Sequence, residues 1–387
     1  MHGTFHRDRF TWLAYLSLAF YGYFLNVLGP ITPFLKDELG LTYTISSFHF
    51  TAFAVGILLI GVGGHTLIQR IGQQRSLWLG LFGMSLSALF LILGKRPTIT
   101  IGASFLMGWV GSLILAIVPA ALSDRHGELR AVALSEANVI ASLLATSAPL
   151  MVGWSARALD SWRLPLWIMA FTPLLLFLGF GRNISLQTTS AGEVPTQSQQ
   201  PLPTLFWLYW VAIVLGVAVE FCMVFWSADY LEQVLGLIKA DAAQAVSLFL
   251  AAMIVGRVIG SRLVQRFSTR GVIMISIILA SLGFLIFWRT ENVVLGLSGL
   301  FLTGLGVANL YPLILSLAIG AANGNNVQAG ARATLASGTA ILTLPLALGR
   351  LADAAGIRSA YGVVLVLLMS VFLINLIARR FPLDQRR

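Results

Sequence analysis

Long apolar runs separated by short polar stretches dominate this chain. A helix crosses a bilayer with about 20 mostly apolar residues, because its backbone N–H and C=O groups must be satisfied within the segment. On that basis the pattern predicts twelve spans, at 10–34, 45–68, 77–93, 98–122, 132–154, 164–180, 204–229, 243–264, 272–288, 293–320, 333–349 and 359–378. The first run is too long for a signal-peptide core and lacks a small-residue cleavage site, so it is expected to persist as a helix. One connection differs from the rest. Residues 181–203 are polar and rich in Ser, Thr, Gln and Pro, the composition of a flexible linker. This predicts a six-helix bundle over 1–180, a cytoplasmic linker over 181–203 and a second six-helix bundle over 204–387. The sequon Asn183-Ile184-Ser185 falls in that linker and is read as chance.

Composition identifies the solvent. The chain is 57% hydrophobic and 10% charged, against about 45–50% and about 25% in soluble domains. So few charges do not cover a soluble surface of this size, and the partner for most of it is the lipid bilayer. The net charge of +10 would suggest nucleic acid in a soluble protein; here the basic residues sit mainly in short loops and bear on orientation. Arg70, Arg75, Arg125, Arg130, Arg262, Arg266, Arg379 and Arg380 fall on the side of the two termini. That excess predicts both termini in the cytoplasm, in a bacterial inner membrane, with no nucleic-acid partner. A single cysteine, Cys222, excludes an internal disulfide and a cysteine-built metal site. A Walker A loop, metal-ligand spacings and a Gly-x-Ser-x-Gly elbow are all missing. Neither an enzyme nor a cofactor or metal is expected.

The two halves are copies. A shift of 196 residues places Leu39-Gly40 on Leu235-Gly236, and Leu67-Ile68-Gln69-Arg70 on Leu263-Val264-Gln265-Arg266. It also places Phe105-Leu106-x-Gly108 on Phe301-Leu302-x-Gly304, and Pro149 and Gly153 on Pro345 and Gly349. Matches on Gly, Pro, Gln and Arg in one register do not follow from a Leu-rich composition.

Twelve spans in two parallel six-helix halves, joined by a central linker and carrying a basic helix 2–3 loop, resemble the major facilitator superfamily (MFS). The family pattern in that loop is Gly-x-Leu-x-Asp-Arg-x-Gly-Arg-Arg. Leu67, Arg70 and Gly72 agree with it, whereas Gln69 replaces the Asp and removes the carboxylate an ionic lock would use. The second copy is again Gln-Arg, with Gln265 and Arg266 left to hydrogen-bond facing helix ends. Pro149 and Gly153 half-match the Gly-Pro-x-x-Gly-Gly motif of family antiporters, a hint of efflux. Their recurrence at Pro345 and Gly349 favours a packing device instead.

Ionisable residues at membrane depth are costly and mark functional sites. Glu220 is the outstanding case, surrounded by Val219, Phe221, Met223, Val224 and Phe225 on helix 7. The resemblance places helices 1, 4, 7 and 10 around a central cavity, which makes Glu220 the candidate for carrying a proton or contacting a cation; the alternative is a permanently protonated core Glu. Gly216, Met223 and Ser227 share its helical face. Asn26 and Asn309 are offered as substrate hydrogen-bond partners or, equally, as interhelical glue. Tyr23, Trp109 and Tyr311 are cavity aromatics or packing residues. Arg257 interrupts helix 8 and is assigned to a structural partner near the cytoplasmic gate, with an anionic substrate as the alternative. Glu136 and Arg332 face each other in the repeat register and suggest a gate ion pair. His49 reads as a satisfied structural His, and Asp229 as solvated.

These readings converge on a monomeric secondary transporter of a small organic solute, working by alternating access with protons as coupling ion. The alternatives are a proton-driven exporter of lipophilic, drug-like compounds and a transporter-like sensor that moves no solute.

Overall fold

The computed structural model describes residues 5–181, 202–322 and 326–380. The predicted linker, apart from its ends, and its sequon lie outside the described residues. Every described element is helical, and the chain gathers into two compact units, Met1–Leu41 with Phe48–Ser190, and Thr42–Ser47 with Ala191–Arg387.

Within the first unit lie α1 (Arg9–Leu39), most of α2 (Tyr43–Ile71), α3 (Gln73–Leu93), α4 (Pro97–His126), α5 (Arg130–Leu159) and α6 (Leu164–Phe180). The second holds α7 (Thr204–Leu235), α8 (Lys239–Leu263), α9 (Thr269–Arg289), α10 (Val293–Val307), α11 (Leu310–Gly320), α12 (Asn326–Ala355), α13 (Ile357–Ala360) and α14 (Gly362–Ala378). Ten of the described helical segments are long and apolar enough to cross a membrane. One of these runs unbroken in hydropathy over Pro97–Leu159, and Leu164–Phe180 is a shorter apolar helix beside them. The predicted twelve spans split the first of these in two and count the second.

A helix that is apolar all round belongs inside a bundle. α1 and α7, equivalent in the repeat, bury residues on every face: Leu13, Tyr15, Phe20, Tyr23 and Phe24 in one, Tyr209, Ile213, Val219, Phe225 and Trp226 in the other. The equivalent pair α6 and α14 instead leaves Phe171, Leu175 and Leu178, and Val366, Leu373 and Ile377, exposed. Such apolar surface is stable only against lipid.

The repeated glycines have structural reasons. Gly40 and Gly236 end α1 and α7 at φ +60° and +71°, a left-handed cap that a side chain disfavours. Gly108 of α4 meets α2 so closely that a Cβ would stand 2.1 Å from the Phe53 carbonyl oxygen; its counterpart Gly304 would meet the Phe249 oxygen at 2.5 Å. Phe53 and Phe249 are themselves repeat-related. The same backbone contact is therefore built twice.

The span 293–320 is long and apolar enough to cross a membrane, as expected, but its helix is interrupted. Residues 308 and 309 break it into α10 and α11. Pro312 has no N–H for the Ala308 carbonyl, and its ring crowds that carbonyl, so the helix restarts. Asp229, expected to be solvated, is fully buried. His49 is buried and bonds Thr100 at 2.8 Å, joining α2 to α4.

Asp8 fixes the start of α1. Its carboxylate accepts from the Thr11 N–H at 2.8 Å and hydroxyl at 2.7 Å, and from Arg125 Nε at 2.9 Å. Burial pushes the Asp8 carboxyl up, but the bonds from Thr11 and Arg125 outweigh it and hold the group below the ordinary Asp value. Its stabilising effect is thus present above the ordinary pKa of about 3.9 and is lost as pH falls through the lowered folded value. Asp8→Ala is expected to cost about 0.5–2 kcal/mol near neutral pH, the range for losing an N-cap. Thermal unfolding against pH checks this: the gap between wild type and variant should narrow on acidification, and a gap independent of pH would refute the charge contribution.

Candidate functional site

Glu220 sits on α7 in a run where Val219, Phe221, Cys222, Met223, Val224 and Phe225 are all buried. It is itself only partly exposed. One turn earlier, Gly216 lets the start of α11 approach: a Cβ there would lie 3.5 Å from Leu310 Cβ. This brings Tyr311 toward Glu220, close enough for the two to interact electrostatically, with the Tyr311 hydroxyl within hydrogen-bonding reach of Ser337 on α12. From α8, Arg257 acts on the Glu220 carboxylate as the nearby opposite charge. Glu220, Arg257, Tyr311 and Ser337 thus come together from four helices of one unit. A carboxylate with a guanidinium and a phenol beside it can hold a proton, release it against the Arg charge, or take up a cationic or hydrogen-bonding group of a solute.

The sequence places Arg257 with a structural partner near the cytoplasmic gate or with an anionic substrate, and offers no reason to single out Ser337. Nothing in the primary structure ties α8 or α12 to Glu220, since helix rotation decides the pairing. Met223 and Ser227 are fully buried; Ser227 lies 3.3 Å from the Tyr361 hydroxyl, which donates to the Cys222 carbonyl at 3.1 Å.

Both candidate asparagines make hydrogen bonds to helix backbone. Asn309 is buried and donates to the Gly256 carbonyl at 3.1 Å, bracing the α10–α11 break against α8. In the first unit, Asn26 donates to the Gly22 carbonyl of its own helix at 2.9 Å. Each spends one amide N–H in this way and keeps a second N–H and the Oδ1 oxygen. Tyr23 is fully buried, and its hydroxyl has no hydrogen-bond partner among the described residues. Trp109 is 39% exposed and stacks on Phe105 at 6.4 Å.

Glu136, predicted to pair with Arg332, is instead taken within its own unit. It accepts from Arg7 at 2.6 and 2.8 Å and from the Tyr15 hydroxyl at 3.1 Å. The segment before α1 folds back beside α5, and the guanidinium fork matches the carboxylate in two bonds. Arg332 is exposed, and its carbonyl accepts from Trp210 Nε1 at 2.8 Å. Gln69 and Arg70 are exposed at the end of α2, followed by Gly72 at φ +86°, a conformation that explains the glycine. Arg266 is exposed in the turn after α8. Among the described residues, no group of three or more His, Cys, Asp or Glu is placed to hold a metal ion.

Similarity to known proteins agrees with this architecture. A glucose/mannose transporter, GlcP of Bacillus subtilis (strain 168), is 25% identical over 321 residues, 75% of each chain. An uncharacterized MFS-type transporter of Yersinia pestis is 24% identical over 375 residues, 92% of each. Among solved structures, a bacterial homolog of the human lysosomal transporter Spinster in an inward-facing conformation superposes with a TM-score of 0.80 at 14% identity, covering 98% of both chains. The nucleoside transporter NupG superposes with a TM-score of 0.73 at 13% identity, covering 96% of this chain and 98% of its own. The family model described as Major Facilitator Superfamily matches residues 14–318 and 208–387. The chain is an integral, multi-pass membrane transporter and belongs to the major facilitator superfamily.

Proposed function

We propose that the chain is a secondary transporter that moves a small organic solute by alternating access, with protons as the coupling ion and Glu220 as their carrier. The observation that supports this is the placement of Glu220: an acidic residue in an otherwise apolar stretch of α7, with Arg257 and Tyr311 acting on it. A charged side chain at the bilayer centre costs roughly 2.5–3.5 kcal/mol on insertion scales. A carboxylate is retained there when its charge is offset in turn by a cation and by a proton, which is the chemistry that coupling requires. The relation to a glucose/mannose transporter favours a polar solute over a lipophilic one. The half-matched helix 5 motif lends the exporter reading little weight, because its repeat copy Pro345 serves packing: the Pro345 carbonyl accepts from Trp226 Nε1 at 3.1 Å. Cytoplasmic termini, a bacterial inner membrane and a monomeric state belong to the same proposal.

Thermal stability of the purified protein against sugars, amino acids, organic anions and lipophilic cations, at two pH values, tests the solute class. A ligand of the folded state contributes about 2.7 kcal/mol at a hundred times its dissociation constant. A raised midpoint confined to one polar class is the expected result. A shift with lipophilic cations alone would replace this reading with the exporter, and binding without accumulation in vesicles would replace it with a sensor.

A further inference from the structure

The two units finish their third helices differently, although the repeat pairs α3 with α9. In the first unit the guanidinium of Arg163, just before α6, donates to the Ile92 carbonyl near the end of α3 at 3.0 Å. It also donates to both oxygens of Glu38, at 2.8 and 2.5 Å. Trp162 donates to the same carboxylate at 2.7 Å, and the guanidinium lies 4.2 Å from the Trp162 ring. This corner carries its own counter-charge, held in two parallel bonds. In the second unit Arg358 of α13 makes the corresponding tie. It donates to the Arg289 carbonyl at the end of α9 at 3.3 Å, and Trp288 donates to the Arg358 carbonyl at 2.6 Å.

The copy does not repeat the counter-charge. The 196-residue register sets Val234 where the first unit has Glu38, and Arg289 where it has Leu93. One carboxylate is lost and one guanidinium gained. Glu291 bonds Arg358 at 2.9 Å, but its side chain is 77% exposed, so water and salt screen the pair. Arg289 has no carboxylate partner among the described residues, and its guanidinium lies 5.5 Å from the Trp288 ring. Both arginines, with Trp288 and Ser359, line an open cavity of about 430 Å³, a volume within the range of roughly 300–1,000 Å³ usual for ligand pockets.

We propose that this cavity binds a phosphate group, which supplies from outside the negative charge that Glu38 supplies in the first unit. The forked guanidinium groups of Arg289 and Arg358 match phosphate oxygens in paired bonds, and the Ser359 hydroxyl adds a donor. The phosphate of an anionic phospholipid suits the surroundings. Trp288 combines an apolar body with a polar edge, the type of side chain that collects at the membrane–water boundary. Beside it on α9, Leu282, Leu285 and Ile286 are exposed, so acyl chains cover the helix directly next to the cavity. Free phosphate offers the same oxygens without the chains. The site belongs to α9 and α13, which contribute nothing to the Glu220 cluster.

Thermal unfolding of the full-length protein in nonionic detergent tests this, with phosphatidylglycerol, phosphatidylcholine and inorganic phosphate titrated in separately. Phosphatidylglycerol is expected to raise the wild-type midpoint by mass action. Arg289→Gln, at an exposed position, should melt as wild type without ligand. It should need about tenfold or more phosphatidylglycerol for the same shift, as for loss of hydrogen bonds to a charged group. Lys95→Gln removes the same charge from an exposed position at the repeat-related corner of the first unit, and should titrate as wild type. A shift with inorganic phosphate as well, lost in Arg289→Gln, supports the site and assigns it to free phosphate. Three results overturn it: no response to either anion, a shift as large with phosphatidylcholine, or a response that Arg289→Gln leaves unchanged or that Lys95→Gln weakens equally. The last would mean that the basic surface at large attracts the anion.

Discussion

Glu220→Gln is expected to abolish gradient-driven accumulation while leaving the protein folded in the membrane. A potential of about 100 mV is worth about 2.3 kcal/mol per elementary charge, so a carrier coupled to one proton concentrates a neutral solute roughly 50-fold. Gln keeps the size and the hydrogen-bonding carbonyl of Glu but takes up no proton. The variant should therefore equilibrate solute without concentrating it, and its exchange rate should lose its pH dependence. Folding should not suffer, because removing a costly charge from an apolar run relieves desolvation. Arg257, left without its counter-charge, lies on an exposed position of α8 where water or lipid headgroups compensate it. Uptake into proteoliposomes under an imposed pH gradient and potential reads this directly. Accumulation by Glu220→Gln equal to wild type would end its assignment as the proton carrier.

The second large effect is on stability. Gly108→Leu should sharply lower the thermal midpoint and the amount of monodisperse protein recovered from membranes. Its Cβ would lie 2.1 Å from the Phe53 oxygen and within 2.9 Å of the Phe53 C and Cα. These are backbone atoms of a neighbouring helix, which do not swing aside as a side chain does. Overpacking costs about 1–3 kcal/mol in ordinary cores, and this contact belongs at or above the top of that range, a large share of a typical stability of about 5–15 kcal/mol. Gly102 lies on the same helix with nothing within 4 Å of its would-be Cβ, so Gly102→Leu is the matched control. Equal melting of the two variants would show that the α2–α4 approach is not what the repeated glycine secures. At Gly304 the corresponding distance is 2.5 Å, and Gly304→Leu should destabilise in the same direction.

The helices, their apolar character and the duplication were legible in the chain because each depends on local composition. An apolar run long enough to cross a bilayer has to close its own backbone hydrogen bonds, and a glycine kept at both positions of a repeat has a steric reason in both copies, as Gly40 with Gly236 and Gly108 with Gly304 bear out. The break before α11 was also written in the sequence, at Pro312, but apolar length outweighed it. Glu220 stood out for the same local reason, a lone acid among apolar neighbours.

Which polar groups meet was decided only by the tertiary structure. The repeat register offers Arg332 to Glu136, yet it is Arg7, in the segment before α1, that holds it. Arg257 and Tyr311 join Glu220, and Asn309 bonds the Gly256 carbonyl. Sequence sets the energy of leaving each such group unpaired. Rotation of each helix about its axis and the close approaches allowed by small residues then select its partner, and neither quantity is carried by any single stretch of the chain.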